Sequence, residues 1–273
     1  MALLSNNYNK LTNLELSIQI SLSGLSFCTL QRETNTITKL KDISFDKKLN
    51  PLEVLDKLKA LFASEKVTEY DYGAITILHE NDLSTLVPKP LFNEDCIADY
   101  LKFNSKILKS DFIAFDEILI NDSVNVYVPY ININNFIYDQ FGAFTFKHTS
   151  TVLVEEILLV EKNTSIPKVY VNVSKNHFEV IVIDNTKLRL YNTFEYHSPE
   201  DFIYYILFTI EQLKLNPETC HLVFIGNISK EDTLYSIAYK YIRNITFGSR
   251  NETYKYLEEP KSNHSNFTLI KSL

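Results

Sequence analysis

Residues 14–30 read LELSIQISLSGLSFCTL and residues 168–183 read KVYVNVSKNHFEVIVI, and these two stretches decide the fold. In the first, Leu14, Leu16, Ile18 and Ile20 alternate with polar residues at the period of a half-buried strand. A small polar turn over 21–24 reverses the chain, and 25–30 runs back as a second strand. In the second stretch, Val169, Val171 and Val173 alternate in the same way. The turn at 174–177 leads into Phe178, Val180, Val182 and Ile183 as the returning strand.

The likeness extends outward from both hairpins. A third strand is predicted over 37–45 after the polar turn 33–36, and over 188–194 after Asn185-Thr186. Each is followed by a polar residue and a proline that open a helix, Asn50-Pro51 and Ser198-Pro199. Asn and Ser suit an N-cap, and proline at the first helical position gives up only an N–H that has no helical partner. Asp201, three residues after Ser198, makes a near capping box. Leu52, Leu55, Leu58 and Phe62 form the buried stripe expected of the first helix; Phe202, Ile203, Ile206, Ile210 and Leu213 form that of the second. Strands over 72–78 and 221–225 complete the units, the latter ending at Gly226. A right-handed crossover places each last strand parallel to the first of its unit.

Between the units, residues 84–91, with Pro88 and Pro90, read as a turn-rich connection. Helices are predicted over 94–103, 132–141 and 152–160, a hairpin over 112–119 and 124–128, and an extended segment over 143–147. Residues 230–243 form an amphipathic helix with Leu234, Ile237, Ala238 and Tyr241 inward. A loop over 249–265 and a docked segment at 267–270 follow. With no composition break to mark a linker, the chain divides into an N-terminal subdomain, 10–160, and a C-terminal subdomain, 161–273.

Composition limits the function classes. A net charge of −7 without a basic run disfavours nucleic acid and anionic lipid as partners. The 18 Phe and 17 Tyr supply aromatic core mass, while only 5 Gly argue against glycine-rich phosphate loops. The polar residues 1–10 lack the apolar core of a signal peptide, and the stretch 202–210 is far too short to span a bilayer. These features predict a cytoplasmic chain without membrane insertion. Cys28, Cys96 and Cys220, odd in number and widely spaced, read as buried free thiols.

A duplicated unit of three antiparallel strands, a helix and a parallel strand resembles the ribonuclease-H-like half of the actin, sugar-kinase and heat-shock-chaperone ATPase superfamily. Over its full length the chain is similar to a bacterial domain-of-unknown-function family with an actin-like ATPase fold. The residues that carry this are 16–30, Thr85-Leu86-Val87-Pro88 with Leu91-Phe92 behind, the hairpin 169–183, and Asn266-Phe267-Thr268-Leu269. The resemblance implies a duplicated ribonuclease-H-like α/β fold with two mixed sheets, flanking helices and a central cleft.

It also implies three nucleotide loops in that cleft. The first, with an Asp and a Gly, matches 19–24, where Ser21, Ser23 and Gly24 keep a small polar turn but no carboxylate. The second matches 172–177, where Ser174 remains and both Asp and glycines are missing. The adenosine loop, normally a glycine pair, is reduced to Gly226-Asn227. Without carboxylates to hold the metal of a metal-nucleotide, catalysis loses its main electrostatic element. The expectation is therefore a pseudo-ATPase: no catalytic residue, no metal ligand and no cofactor, with ATP disfavoured. Such a chain acts as a protein-binding adaptor or scaffold; the alternative is a regulatory nucleotide or small-ligand binder without hydrolysis.

Other chemistries find little support. Glu15 stands at the start of strand one as a solvent-facing residue, without the carboxylate partners a two-metal nuclease needs. The six histidines lack metal-ligand spacing, and Cys220-His221, adjacent on a strand, face opposite sides. The pairs Asp116-Glu117 and Glu155-Glu156 read as solvated surface. Tyr235, Tyr239, Tyr241, Tyr254 and Tyr256 offer a tyrosine-rich face suited to an interface.

Overall fold

The computed structural model describes residues 13–103 and 105–273. The first half opens with β1 (Leu14–Ile20), β2 (Gly24–Gln31) and β3 (Thr36–Ser44), an antiparallel meander. Helix α1 (Pro51–Ser64) crosses to β4 (Ala74–His79), which pairs parallel with β1. An insertion follows: β5 (Ser84–Pro88), α2 (Ile97–Lys102), β6 (Ala114–Ile118) and β7 (Ser123–Tyr127). Helix α3 (Ile131–Phe141) then leads to β8 (Thr145–His148), parallel to β4, and to α4 (Thr149–Val160).

The second half repeats the plan with β9 (Lys168–Val173), β10 (His177–Asp184), β11 (Lys187–Glu195), α5 (Pro199–Gln212) and β12 (His221–Gly226). Helix α6 (Thr233–Tyr241) and β13 (Asn244–Phe247) extend it, and β14 (Lys255–Tyr256) and α7 (Phe267–Lys271) end the chain. The sheets run β14-β3-β2-β1-β4-β8, β11-β10-β9-β12-β13 and β5-β7-β6. Leaving out β14, the first two have the same order and strand directions. Even the register shifts agree, falling between Thr29 and Leu30 in one half and between Val182 and Ile183 in the other. The duplicated α/β architecture is as the sequence predicts.

Local chemistry explains the shared helix starts. Asn50 Oδ1 accepts the N–H groups of Leu52 and Glu53, each at 3.0 Å, and Glu53 returns a carboxylate to the Asn50 N–H at 2.9 Å. Ser198 Oγ accepts the Asp201 N–H at 3.1 Å, and the Asp201 carboxylate takes the His197 N–H at 3.0 Å. Such caps contribute about 1 kcal/mol each.

Each of the two large sheets is covered on both faces, and the covers cross between halves. α1 and α3 bury one face of the first sheet through Val54, Leu58, Phe62, Ile133 and Ile137. α5 and α6 do the same for the second through Phe202, Ile206, Ile210 and Ala238. The other face of the second sheet is covered by α4, through Leu153, Val154, Ile157 and Leu158. The other face of the first sheet meets α7, where Leu269 and Ile270 pack on Cys28, Leu30 and Ile37. Residue 160 thus ends a helix that follows the first sheet in sequence and packs on the second. Lys271 and Glu156, 2.8 Å apart, join the two crossing helices.

Several local expectations are corrected. Residues 84–88 form a strand rather than a turn, since β5 is an edge strand of the small sheet and its proline sits at the end, where no ladder N–H is lost. Helix α1 turns Leu52 outward, 68% exposed, because the core side is set by Val54, Leu58 and Leu61 at helical spacing. Tyr241 is exposed at the end of α6, where the chain turns into the unforeseen β13. The segment 249–265 is loop apart from β14, which adds a short parallel edge to β3. Cys28 and Cys220 are buried and Cys96 is only partly so; all three are free thiols.

Candidate functional site in the cleft between the halves

The parallel pairs β1–β4 and β9–β12 direct their carboxyl ends into a common cleft, the position where α/β sheets receive ligands. Its volume is about 150 Å³, and Ser21, Ser23, Gly24, Ser174 and Gly226 all line it. The five positions singled out in sequence are therefore brought together from loops some 200 residues apart in the chain.

Their polar groups are engaged within the chain. The Ser21 N–H bonds Gly24 O at 3.0 Å and the Ser23 N–H bonds Ser21 Oγ at 3.2 Å. The Ser174 N–H reaches His177 O at 3.0 Å, the Gly226 N–H reaches His264 O at 2.8 Å, and the Asn227 N–H reaches Val173 O at 2.7 Å. Both glycines are explained by close backbone approach. A Cβ on Gly24 would lie 2.6 Å from Ile43 O, and one on Gly226, at φ +82°, 2.5 Å from Val173 O.

The two hairpin turns also touch each other. Lys175 Nζ crosses from the second turn to Phe45 O at 2.6 Å, and Asn176 Nδ2 donates to Ser23 Oγ at 3.3 Å. Below them lies a buried charged cluster that the sequence reading missed. Glu80, the residue after β4, accepts hydrogen bonds from Gln19 Nε2 at 2.7 Å and Ser174 Oγ at 3.0 Å. His177 Nε2 lies 3.0 Å from Glu80 Oε1 and 3.5 Å from Glu179 Oε1. Asn172 Nδ2 holds the other Glu179 oxygen at 3.0 Å, and Thr268 Oγ1 donates to Gln19 Oε1 at 2.6 Å. One network thus links β1, β4, the β9–β10 turn and α7.

Burial works against the charges of Glu80 and His177, yet their partners prevail. Desolvation raises the Glu80 carboxyl, but hydrogen bonds from His177, Gln19 and Ser174 with the imidazolium charge hold it well below the usual carboxylate range. Desolvation likewise opposes protonation of His177, and the two glutamates nevertheless hold its pKa well above the ordinary histidine range. Hydrogen bonding and the glutamate charges thus favour the protonated form of His177.

Only one signal in the sequence pointed here. His177 and Glu179 are two apart on a strand, so both side chains take the same face of β10. The third member, Glu80, is about a hundred residues away and joins them only because β4 pairs with β1 and ends beside the first turn, its N–H bonded to Ile20 O at 2.9 Å.

The remaining candidates lie elsewhere. Glu15 pairs with Arg32 at 2.7 Å at the outer end of β1. Glu117 faces outward to Lys89 at 2.6 Å, but Asp116 departs from the solvated surface expected of it. It turns inward to accept Thr151 Oγ1 at 2.7 Å, the His148 N–H at 2.9 Å and Tyr127 OH at 3.1 Å, because alternate residues of β6 face opposite sides. Glu155 and Glu156 pair with Lys147 and Lys271.

Duplicated mixed sheets with a cleft between them and helices crossed beneath it define an actin-like ATPase fold. Within it, the chain belongs to the family described as "Protein of unknown function (DUF3822)", whose model matches residues 5–245. A solved structure from Bacteroides thetaiotaomicron VPI-5482, a protein with actin-like ATPase fold and unknown function, is similar at a TM-score of 0.82 and 22% identity, with 97% of each chain covered. A chain of a PilM-PilN type IV pilus biogenesis complex is similar at a TM-score of 0.60 and 10% identity, over 93% of this chain and 96% of that one. No curated protein matches the sequence. Among the described residues, no helix is long and apolar enough to cross a membrane.

Proposed function

We propose that this protein is a non-catalytic member of the actin-like fold, a pseudo-ATPase that acts by binding another protein as an adaptor or scaffold. The observation that carries the reading is the contact between the two hairpin turns. Where a metal-nucleotide needs phosphate-facing N–H groups and a carboxylate in the first turn, the chain ties Lys175 to Phe45 and Asn176 to Ser23. The amides of Ser21, Ser23, Ser174 and Gly226 are used internally. These features fit a cleft closed by its own side chains better than one shaped for Mg-ATP.

Two further features support a protein partner. Leu91, Phe103, Leu108, Phe112 and Leu119 are all exposed within the insertion that carries the small sheet. Exposed large apolar side chains concentrated in one segment suit an interface. The similar chain of the PilM-PilN complex also shows this architecture in use within a protein assembly, an analogy at the level of fold.

The test is a thermal-shift titration with ATP and ADP, with and without Mg²⁺, and with Mg²⁺ alone as control. Ligand at 100 times its Kd would add about 2.7 kcal/mol, a rise of roughly 5–10 °C for a chain of this size. A flat response is expected. A saturable, nucleotide-dependent rise would favour the alternative, a regulatory nucleotide binder, and phosphate release above background would make the protein an enzyme.

A further inference from the structure

We propose that Glu80, His177 and Glu179 form a binding site for one divalent transition-metal ion, zinc being the best fit, which clips the two halves together at the floor of the cleft. This inference does not rest on the reading of the nucleotide loops: of their residues it uses only the side chain of His177, the last of 172–177, as a ligand.

Three ligand atoms, one from each residue, lie within 4.8 Å of one another. In a zinc site, bonds of about 2.0–2.2 Å at tetrahedral angles set ligand atoms roughly 3.3–3.6 Å apart. The separations from His177 Nε2, 3.0 Å to Glu80 Oε1 and 3.5 Å to Glu179 Oε1, need only a small outward movement to accept an ion.

The surroundings are those of a held ligand set. The outer oxygens of both carboxylates are oriented by neutral amides, Gln19 on Glu80 at 2.7 Å and Asn172 on Glu179 at 3.0 Å. Such partners fix ligand direction without cancelling ligand charge. Among the described residues, neither carboxylate has a lysine or arginine within ion-pair distance. A divalent ion bound through neutral imidazole balances both carboxylates, and the Nε2 proton leaves to solvent as the ion enters. Glu80 and His177 also line the cleft, which gives an entry path and leaves room for water in the open coordination position.

The donor set narrows the ion. One imidazole and two carboxylates suit zinc, cobalt or manganese, whereas magnesium and calcium take oxygen ligands and thiolate-seeking ions find no sulfur here. The cluster draws Glu80 from the first half and His177 and Glu179 from the second, so occupancy resists separation of the halves. Because the unfolded chain has no such site, occupancy also raises stability.

The experiment takes the full chain stripped with a chelator and titrates it with Co²⁺, followed by visible absorption, and with Zn²⁺, followed by calorimetry. One equivalent is expected to bind, with a visible cobalt spectrum of low-symmetry coordination that Zn²⁺ abolishes. Glu179→Gln, checked for folding by circular dichroism, is expected to weaken binding by at least about 100-fold, while His197→Ala, at an exposed histidine, leaves it unchanged. The wild-type cobalt spectrum decides the matter even if the Glu179 variant fails to fold. Absence of that spectrum, or binding that survives in folded Glu179→Gln, overturns the proposal. A nucleotide response in the thermal-shift titration would leave this result unaffected, so the two readings fail separately.

Discussion

Replacing Glu80 by Gln should loosen the junction between the halves without changing side-chain volume. In the wild type the carboxylate accepts from Gln19, Ser174 and His177 at 2.7, 3.0 and 3.0 Å. Neutralising it turns three charge-assisted hydrogen bonds into ordinary ones, each weaker by about 1 kcal/mol. The Gln amide also sets an NH₂ against Gln19 Nε2. Gln19 relieves that clash only by turning its own amide, which removes the oxygen that accepts Thr268. His177 is left charged with a single carboxylate at 3.5 Å. With side chains only 10% and 19% exposed, solvent compensates little. The sum is about 3–4 kcal/mol, inside the 3–5 kcal/mol range for breaking a buried pair, and corresponds to a fall in melting temperature of roughly 10 °C. Thermal denaturation followed by circular dichroism, in chelator so that no metal intervenes, measures it. A midpoint within about 2 °C of wild type would refute the view that this cluster bolts the halves together.

Three further outcomes are expected. Gly226→Ala forces a side chain into a left-handed φ of +82° and a Cβ to within 2.5 Å of Val173 O, so it should destabilise by about 2–4 kcal/mol in chemical denaturation; a neutral result would mean the backbone there gives way easily. His148 caps α4 by accepting the Ser150 N–H at 3.2 Å, and burial pushes its pKa down to about 3. Because its unfolded value is near ~6.5, the unfolded chain binds the proton first and stability falls as pH drops below that value, by about 3 kcal/mol at pH 4. His148→Asn, which keeps a capping oxygen, should flatten this dependence, and an unchanged pH profile in that variant would contradict the assignment. In native thiol labelling, Cys96 alone should react quickly, since Cys28 and Cys220 are buried and burial raises both thiol pKa values; rapid modification of all three would show an open core.

Much of the fold was legible because the repeat is written in local signals. The alternation at Leu14 to Ile20 and Val169 to Val173, and the capped prolines at 51 and 199, each specify a strand or a helix start without help from distant residues. What was hidden depended on tertiary context. β5 ends in Pro88, with Pro90 just beyond, and so reads as a turn; only its place at a sheet edge makes a strand of it. Leu52 has the spacing of a core residue, but the phase of α1 is fixed by Val54, Leu58 and Leu61, which find the sheet. The crossing of α4 and α7 onto opposite sheets left no local trace, because an apolar helix face does not say which sheet it meets.

The candidate site divides in the same way. Ser21, Ser23, Gly24, Ser174 and Gly226 were legible as turn residues and do meet in one cleft. The turns themselves carry no acids; the carboxylates enter from elsewhere, Glu80 from the end of β4 and Glu179 from within β10. Lys175, a surface-like lysine in a turn, gave no hint that it reaches the opposite half at Phe45.

The most direct test of the closed cleft is a crystal structure grown in excess Mg-ADP. The account predicts Lys175 Nζ still on Phe45 O and Asn176 still on Ser23, with no nucleotide density between the turns. Ordered ADP phosphates between 21–24 and 174–177, with those two contacts parted, would contradict it.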